Sequence, residues 1–280
     1  MKTLKIFFSP VILFTFFINV QGQEVFQNLG GHLNGNKFKQ LKEELPTPNK
    51  FRTASGAPGE DYYQQKVDYV IDVELDDKNK RLYGQEEITY TNNSPDVLEY
   101  LWLQLDQNIR KKDAPALQKN SEGDTAHNII YNLIDESQVD RFASRHLEIP
   151  FDGGFNIQWV KDEFNQFLKY TINMTMMRVD LPQPLKSGEQ FKLSVKWWYN
   201  INDHVKKRAR SGYEPFPKDG NRLYVIAQFF PRLAVYNDVE GWQNHQFWGN
   251  GEFALNFGNY EVNLTVPADH ILEATGILQN

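Results

Sequence analysis

Apolar and polar residues alternate along most of the chain from Tyr62 onward, and a period of two is typical of half-buried β-strands. In Val67–Asp76 the odd-numbered positions are apolar and most even-numbered positions are acidic. The pattern returns in Leu82–Thr91 after the polar turn Asp77–Lys80, which predicts a β-hairpin. Similar runs predict further strands at Leu98–Leu105, Phe155–Val160, Phe167–Met174, Met177–Leu181, Phe191–Ile201, Leu223–Phe230, Phe253–Phe257 and Tyr260–Val266.

Many short strands joined by turns predict a mostly β fold, arranged as an antiparallel sandwich or barrel-like sheet. We expect the strand Phe191–Ile201 to bury the face that carries Trp197, and we interpret Pro182–Glu189 as a loop. At about 110–150 the alternation stops and apolar residues recur at helix-like spacing, which predicts a small helical insertion. Residues 23–61 are rich in Gly and Pro and are interpreted as a lead-in segment to a β-domain at 62–280.

The first 22 residues have the pattern of a secretory signal peptide. Lys2 and Lys5 precede the apolar run Ile6–Val20, and cleavage is expected between Gly22 and Gln23. A membrane anchor is the alternative, but the run is shorter than the ~20 residues that a span needs, and Pro10 interrupts it. We therefore expect a secreted or periplasmic protein with no membrane span after cleavage.

The charge pattern argues against a nucleic-acid partner. The net charge is −6, and Lys206–Arg210 is the only dense basic stretch, whereas a nucleic-acid interface needs a clustered basic face. We interpret this stretch as a solvated loop. The chain contains no cysteine, which excludes disulfides, thiol catalysis and a lipid anchor on cysteine.

No motif for catalysis or metal binding is present. The six histidines include no H-E-x-x-H pair, which would place two imidazoles and a general base beside Zn²⁺. A nucleophile elbow and the phosphate-binding glycine patterns are also missing. We therefore expect no catalytic residue, no metal ligand and no cofactor in this chain.

One segment, Ala227–Trp242, concentrates aromatic residues, amides and acids in a strand-to-loop passage. Aromatic walls with a few polar groups form ligand sites, but the same composition also suits the aromatic edge of a core. The residues alone favour neither interpretation.

Several motifs together resemble the aminopeptidase N family of zinc metallopeptidases, in particular a secreted subgroup from Bacteroidetes-type bacteria. The segments that carry the resemblance, in this order, are the hairpin Val67–Tyr90, Leu181–Glu189, Ala227–Trp242, Gly249–Phe253, Tyr260–Asp269 and Ala274–Gly276. The resemblance covers about Tyr62 to Asn280 and implies a β-saddle fold for an N-terminal domain. It also implies a downstream catalytic domain that binds Zn²⁺ and is absent from this chain.

In that family, a T-Q-x-[EQ]-P-like strand of the N-terminal domain lends an amide or carboxylate to the site that binds the peptide substrate. Ala227-Gln228-Phe229-Phe230-Pro231 lies at the corresponding place. The resemblance implies that Gln228 matches the first amide, while Phe230 replaces the amine-binding Gln or Glu and puts strict aminopeptidase specificity in doubt. The implied role is to cap the active site and anchor the peptide N-terminus, with Gln228, Phe229 and Phe230 as substrate-binding residues.

A second function class is a stand-alone β-sandwich that binds carbohydrate or protein. Exposed aromatic residues such as Trp242 and Trp248 would then stack on sugar rings. An H-E-x-x-H motif downstream of Asn280 in the reading frame would favour the peptidase domain, and a natural stop codon there would favour the binding module.

Overall fold

The structure is a computed structural model that describes residues 48–114, 151–204, 211–248 and 254–279. It is mostly β, with 48% strand and 3% helix, as the alternating pattern predicts. The thirteen strands of the described residues are, in chain order, β1 (Lys66–Asp76), β2 (Arg81–Thr91), β3 (Leu98–Gln104), β4 (Asn156–Asp162), β5 (Tyr170–Asn173), β6 (Met176–Leu185), β7 (Gln190–Asn200), β8 (Gly212–Phe216), β9 (Asn221–Val225), β10 (Arg232–Leu233), β11 (Tyr236–Asn237), β12 (Gly241–Trp242) and β13 (Tyr260–Thr265).

Two sheets enclose the core. The larger has the order β13-β1-β2-β7-β4 and the smaller the order β10-β3-β6-β5. The predicted hairpin is confirmed, because β1 and β2 pair in antiparallel register from Lys66 opposite Thr91 to Asp76 opposite Arg81. The apolar positions of β1 face the core, and Val67 and Ile71 are fully buried.

The prediction for Trp197 is also confirmed. Its side chain is 0% exposed and is the largest fully buried side chain in the described residues. Gly84 lies opposite it on β2, and a Cβ at Gly84 would stand 2.3 Å from Cζ2 of the indole. The glycine therefore leaves the space that the indole ring occupies, which explains a residue that otherwise weakens a strand.

Several strand boundaries differ from the predictions. Strand β6 continues through Pro182–Leu185, which we predicted as part of a loop. The register with β3 shifts between Leu98 and Tyr100, so no hydrogen bond to β3 is needed from the two prolines, which have no N–H. The predicted strand Leu223–Phe230 ends at Val225. In the described part of Phe253–Phe257 no strand forms, and Phe257 makes only an isolated bridge to Lys66.

One strand pair departs from the antiparallel rule. β13 runs parallel to β1, with Tyr69 opposite Tyr260 and Val73 opposite Leu264. Alternation in sequence defines which residues share a face but carries no information about strand direction. The other pairs of the two larger sheets are antiparallel.

The predicted signal peptide at 1–22, most of the predicted helical insertion at about 110–150 and the basic residues 206–210 lie outside the described residues. Where the described chain enters the insertion, Asp106–Arg110 form a short 3-10 helix. The described end of the lead-in segment contacts the domain through Arg52, whose Nε donates to both carboxyl oxygens of Asp238 at 3.0 and 2.8 Å. Among the described helices, none has the length and hydrophobicity to cross a bilayer.

Candidate functional site

The three predicted substrate-binding residues lie in a loop, not in a strand. Residues 226–231 connect β9 to β10, and Gln228 has φ 53°, in the left-handed region. An extended strand cannot pass through a residue in that conformation, so β9 ends before the loop. We call residues Ala227–Phe230 the Gln228 loop.

Side chains beneath the Gln228 loop hold its backbone. Nε2 of Gln107 donates to the carbonyl oxygens of Ala227 and Gln228 at 3.1 and 3.0 Å. Nε1 of Trp197 donates to the carbonyl oxygen of Phe229 at 3.1 Å. Three consecutive carbonyl groups are therefore fixed from the core side.

Gln107 is itself held in position by an arginine. Nη1 of Arg110 donates to Oε1 of Gln107 at 2.7 Å, so both ends of the Gln107 amide are used. Burial lowers the pKa of Arg110 from its ordinary value, and the nearby Tyr199 and Asp106 oppose that shift. The guanidinium remains charged at any physiological pH, and a charged donor makes this hydrogen bond a strong one.

The side chains of the Gln228 loop are half-buried. The rings of Phe229 and Phe230 meet edge to face at 5.0 Å, and Phe230 contacts Tyr69 in the same way at 5.5 Å. The side-chain amide of Gln228 has no hydrogen bond within the described part of the chain. The loop therefore combines an apolar wall with an unused amide, which is the composition of a ligand rim.

An ion pair lies where the Gln228 loop enters β10. Arg232 Nη2 donates to Oδ2 of the buried Asp106, and the backbone N–H of Leu233 donates to the hydroxyl of Tyr69 at 2.9 Å. Burial raises the pKa of Asp106, and the charge of Arg232 opposes that rise. These contacts fix the end of the loop against β1 and against the 3-10 helix that follows β3.

Sequence reasoning missed Asp106, Gln107 and Arg110. The signal was the polar run Asp106–Asn108 directly after the apolar strand β3, where the alternation ends. Two polar atoms near this run, Oδ1 of Asp106 and Nε of Arg232, are buried without a hydrogen-bond partner among the described residues.

A second buried carboxyl group lies on the core face of β2. Glu86 is 1% exposed, and neither of its oxygens has a hydrogen-bond partner in the part of the chain that the structure describes. Its neighbours across the sheet are Ile71 and Val195. Burial raises the pKa of Glu86 well above its ordinary value. Sequence reasoning treats strand carboxylates as the solvated side of a sheet, and Glu86 is an exception.

The rest of the aromatic segment forms a core edge. Trp242 is half-buried and packs against Tyr90 and Tyr236 at 6.1 and 5.2 Å between ring centroids. It is therefore not the exposed stacking platform that the binding-module hypothesis needs, whereas Trp248 is exposed. The core-edge interpretation therefore applies at 236–242, and the ligand-rim interpretation of 227–230 remains a prediction.

The described residues contain no group of three or more His, Cys, Asp or Glu that could hold a metal ion. The prediction that this chain carries no cofactor remains a prediction.

No family model matches the chain, and no curated protein matches it. Among solved structures, the chain is similar to an M1 zinc metallopeptidase from Deinococcus radiodurans, with 14% identity and a TM-score of 0.37 over 80% of this chain and 37% of that one. It is also similar to a mutant of that enzyme bound to a Tyr-Ser-Ala substrate, with 14% identity and a TM-score of 0.39 over 78% and 36% of the two chains. A two-domain M1 zinc metallopeptidase mutant bound to L-tryptophan gives 14% identity and a TM-score of 0.39 over 80% and 38%. The chain spans less than two fifths of the length of these structures.

Proposed function

We propose that this chain is the N-terminal, non-catalytic β-domain of a secreted or periplasmic zinc metallopeptidase. In this proposal, the Gln228 loop forms part of the rim of the active site and anchors the N-terminus of a peptide substrate. The Zn²⁺ ion and its ligands belong to a catalytic domain that follows, and no residue of this chain is assigned to the metal.

The proposal rests on the hydrogen bonds of the Gln228 loop. Its backbone carbonyl groups are bonded to Gln107 and Trp197, while the side-chain amide of Gln228 has no bond within the described residues. A residue in the left-handed conformation costs roughly 1–2 kcal/mol, and such local strain is concentrated at functional sites. The backbone of Gln228 is therefore held in place, and its side-chain amide is left available to a ligand.

The chemistry of the loop suits a peptide N-terminus. The side-chain oxygen of a glutamine accepts hydrogen bonds, and an α-ammonium group donates them. A hydrogen bond to a charged group contributes roughly 1.5–3 kcal/mol. The rings of Phe229 and Phe230 supply an apolar surface beside it for the first side chain of the peptide.

Phe230 replaces the second polar group that the family resemblance implies at this place. With one amide instead of two polar groups, the rim offers fewer acceptors to the ammonium. We therefore infer a weaker preference for a free N-terminus than a strict aminopeptidase has.

The test uses the gene product as the cell makes it, purified from culture medium or periplasm. We expect about one Zn²⁺ per polypeptide by elemental analysis and chelator-sensitive hydrolysis of aminoacyl fluorogenic substrates. The 280-residue chain alone should bind no stoichiometric Zn²⁺ and show no hydrolysis. A natural product that ends near Asn280, or one tightly bound zinc ion in the isolated chain, would contradict the proposal.

A further inference from the structure

On the core-facing side of the larger sheet, residues of β13 are exposed although their partners on β1 are buried. Tyr260 lies opposite Tyr69, and Val262 lies opposite Ile71. Tyr69 and Ile71 are 3% and 0% exposed, whereas Tyr260 and Val262 are 49% and 40% exposed. Since paired residues share a face of the sheet, the apolar inner face continues onto β13. Tyr260 stacks on Tyr69 and meets the ring of Phe230, yet half of its surface stays exposed.

The backbone of β13 also has an open edge. β13 is the terminal strand of its sheet and pairs only with β1 among the described strands. The carbonyl oxygen of Asn259 accepts from the N–H of Tyr69 at 2.9 Å. In parallel pairing successive residues point their polar groups to opposite sides, so the N–H and C=O groups of Tyr260 and Val262 point away from β1.

The opposite edge of the same sheet carries a bulge and a lysine, and β13 has neither. In β4 the register with β7 shifts between Ile157 and Trp159, and Lys161 lies within the strand. Bulges and lysines of this kind prevent edge pairing. β13 pairs with β1 in regular register over all six residues and contains no lysine, proline or bulge.

The outer face beside β13 is acidic. Glu261, Asp72 and Glu74 are exposed, and the register places them on the side opposite to Tyr260 and Val262. Asn263 donates to Asp72 at 3.0 Å, so this carboxylate is fixed close to the edge. A strand added at this edge would meet apolar side chains on one face and carboxylates on the other.

We propose that β13 takes up one further β-strand from a partner polypeptide that alternates apolar residues with lysine or arginine. Strand addition of this kind combines backbone hydrogen bonds, which supply affinity, with alternate side chains, which supply specificity. A second copy of this chain fits less well, because a sheet continued across two β13 edges would carry both acidic outer faces, each with Glu261, Asp72 and Glu74, on the same side in a chain of net charge −6. The inference does not depend on the proposed peptidase role.

The test is fluorescence anisotropy with a labelled peptide of alternating lysine and valine. A peptide of the same composition in scrambled order and an alternating glutamate–valine peptide are the controls. We expect the alternating lysine peptide to bind and both controls to bind at least about tenfold more weakly. The glutamate peptide is repelled by the acidic face of the sheet, and the scrambled peptide no longer places its apolar residues on one side.

Two pairs of variants identify the site. Val262→Pro removes an outward N–H without removing a bond to β1, and should weaken binding about tenfold or more, while Val262→Thr keeps the N–H and should retain binding. Glu261→Lys, an exposed change that leaves folding unaffected, should weaken binding of the lysine peptide and strengthen binding of the glutamate peptide.

Equal binding of the scrambled peptide, or binding unaffected by both Val262→Pro and Glu261→Lys, would overturn the inference. A dimer in sedimentation that Val262→Pro dissociates would assign the edge to a second copy and overturn it as well.

Discussion

The indole N–H of Trp197 donates to the carbonyl oxygen of Phe229 at 3.1 Å. Trp197 lies on β7, between β2 and β4 in the larger sheet, and is fully buried, whereas Phe229 lies in the half-buried Gln228 loop. This bond therefore joins the most buried part of the fold directly to the candidate site, so the conformation of the loop depends on the packing of the core.

Replacement of Trp197 by phenylalanine should both destabilise the domain and free the loop. Trp197→Phe removes the donor to Phe229 and leaves a small cavity, and we expect a loss of about 2–3 kcal/mol in the free energy of unfolding. Urea denaturation measures the loss, and hydrogen exchange should show faster exchange at Gln228–Phe230.

Trp198→Phe is the matched control, because Trp198 lies on the outer face of β7 and stacks with Arg81 at 4.4 Å. It should cost less than about 1 kcal/mol and leave exchange in the loop unchanged. Similar effects of the two substitutions would show that the indole bond does not hold the loop.

The strands could be predicted from the sequence because burial of one face leaves a period of two in the residues. This is why the β1–β2 hairpin and the buried face of β7 were predicted correctly. The parallel direction of β13 could not be predicted, since Tyr260–Thr265 would alternate in the same way in either direction.

The candidate site could be predicted only in part. The apolar run Leu223–Phe230 is typical of a strand, and the left-handed residue at Gln228 leaves no local signal in that run. The loop depends on hydrogen bonds from Gln107 and Trp197, which are 121 and 32 residues distant along the chain from their partners in the loop. Contacts of that separation are set by the tertiary fold and not by local propensity.

Glu86 should make the stability of the domain depend on pH. Burial raises its pKa in the folded state above the unfolded value of about 4.3. The folded state therefore binds the proton more tightly than the unfolded state, so the contribution of Glu86 to stability is greatest below about pH 4.3 and falls as the pH rises toward the folded pKa. The fall is about 1.4 kcal/mol per pH unit in that window.

Glu86→Gln keeps the shape and removes the titration, so the variant should be more stable than the natural chain at pH 7, with the difference shrinking toward pH 4. Melting temperatures across that range measure it. Glu87→Gln, on the exposed outer face of the same strand, should leave the pH profile unchanged. Parallel profiles for the natural chain and Glu86→Gln would show that Glu86 is ionised in the folded state or has an unrecognised partner.

Arg52 should hold the lead-in segment to the domain. Its Nε–H is shared between both oxygens of the almost fully buried Asp238 carboxylate in a bifurcated hydrogen bond. Arg52→Ala leaves that carboxylate without this partner, at a cost of about 1–3 kcal/mol. We expect faster proteolysis within residues 48–61 and a lower melting temperature. The double change Arg52→Ala with Asp238→Asn should recover part of the loss, because no buried charge then remains. If the double variant loses as much stability as Arg52→Ala alone, other contacts hold the lead-in segment.

The central claim is that Gln228 anchors the N-terminus of a peptide, and the most direct measurement is the kcat/KM of the complete gene product on paired substrates. Gln228→Ala should lower kcat/KM for peptides with a free amine by about tenfold to a hundredfold, because it removes one charge-assisted hydrogen bond, and should change it little for N-acetylated peptides. Gln183→Ala, an exposed glutamine on β6, is the control and should affect neither. Equal losses on both substrates, or no loss with unchanged stability, would contradict the account and leave the Gln228 loop with a structural role alone.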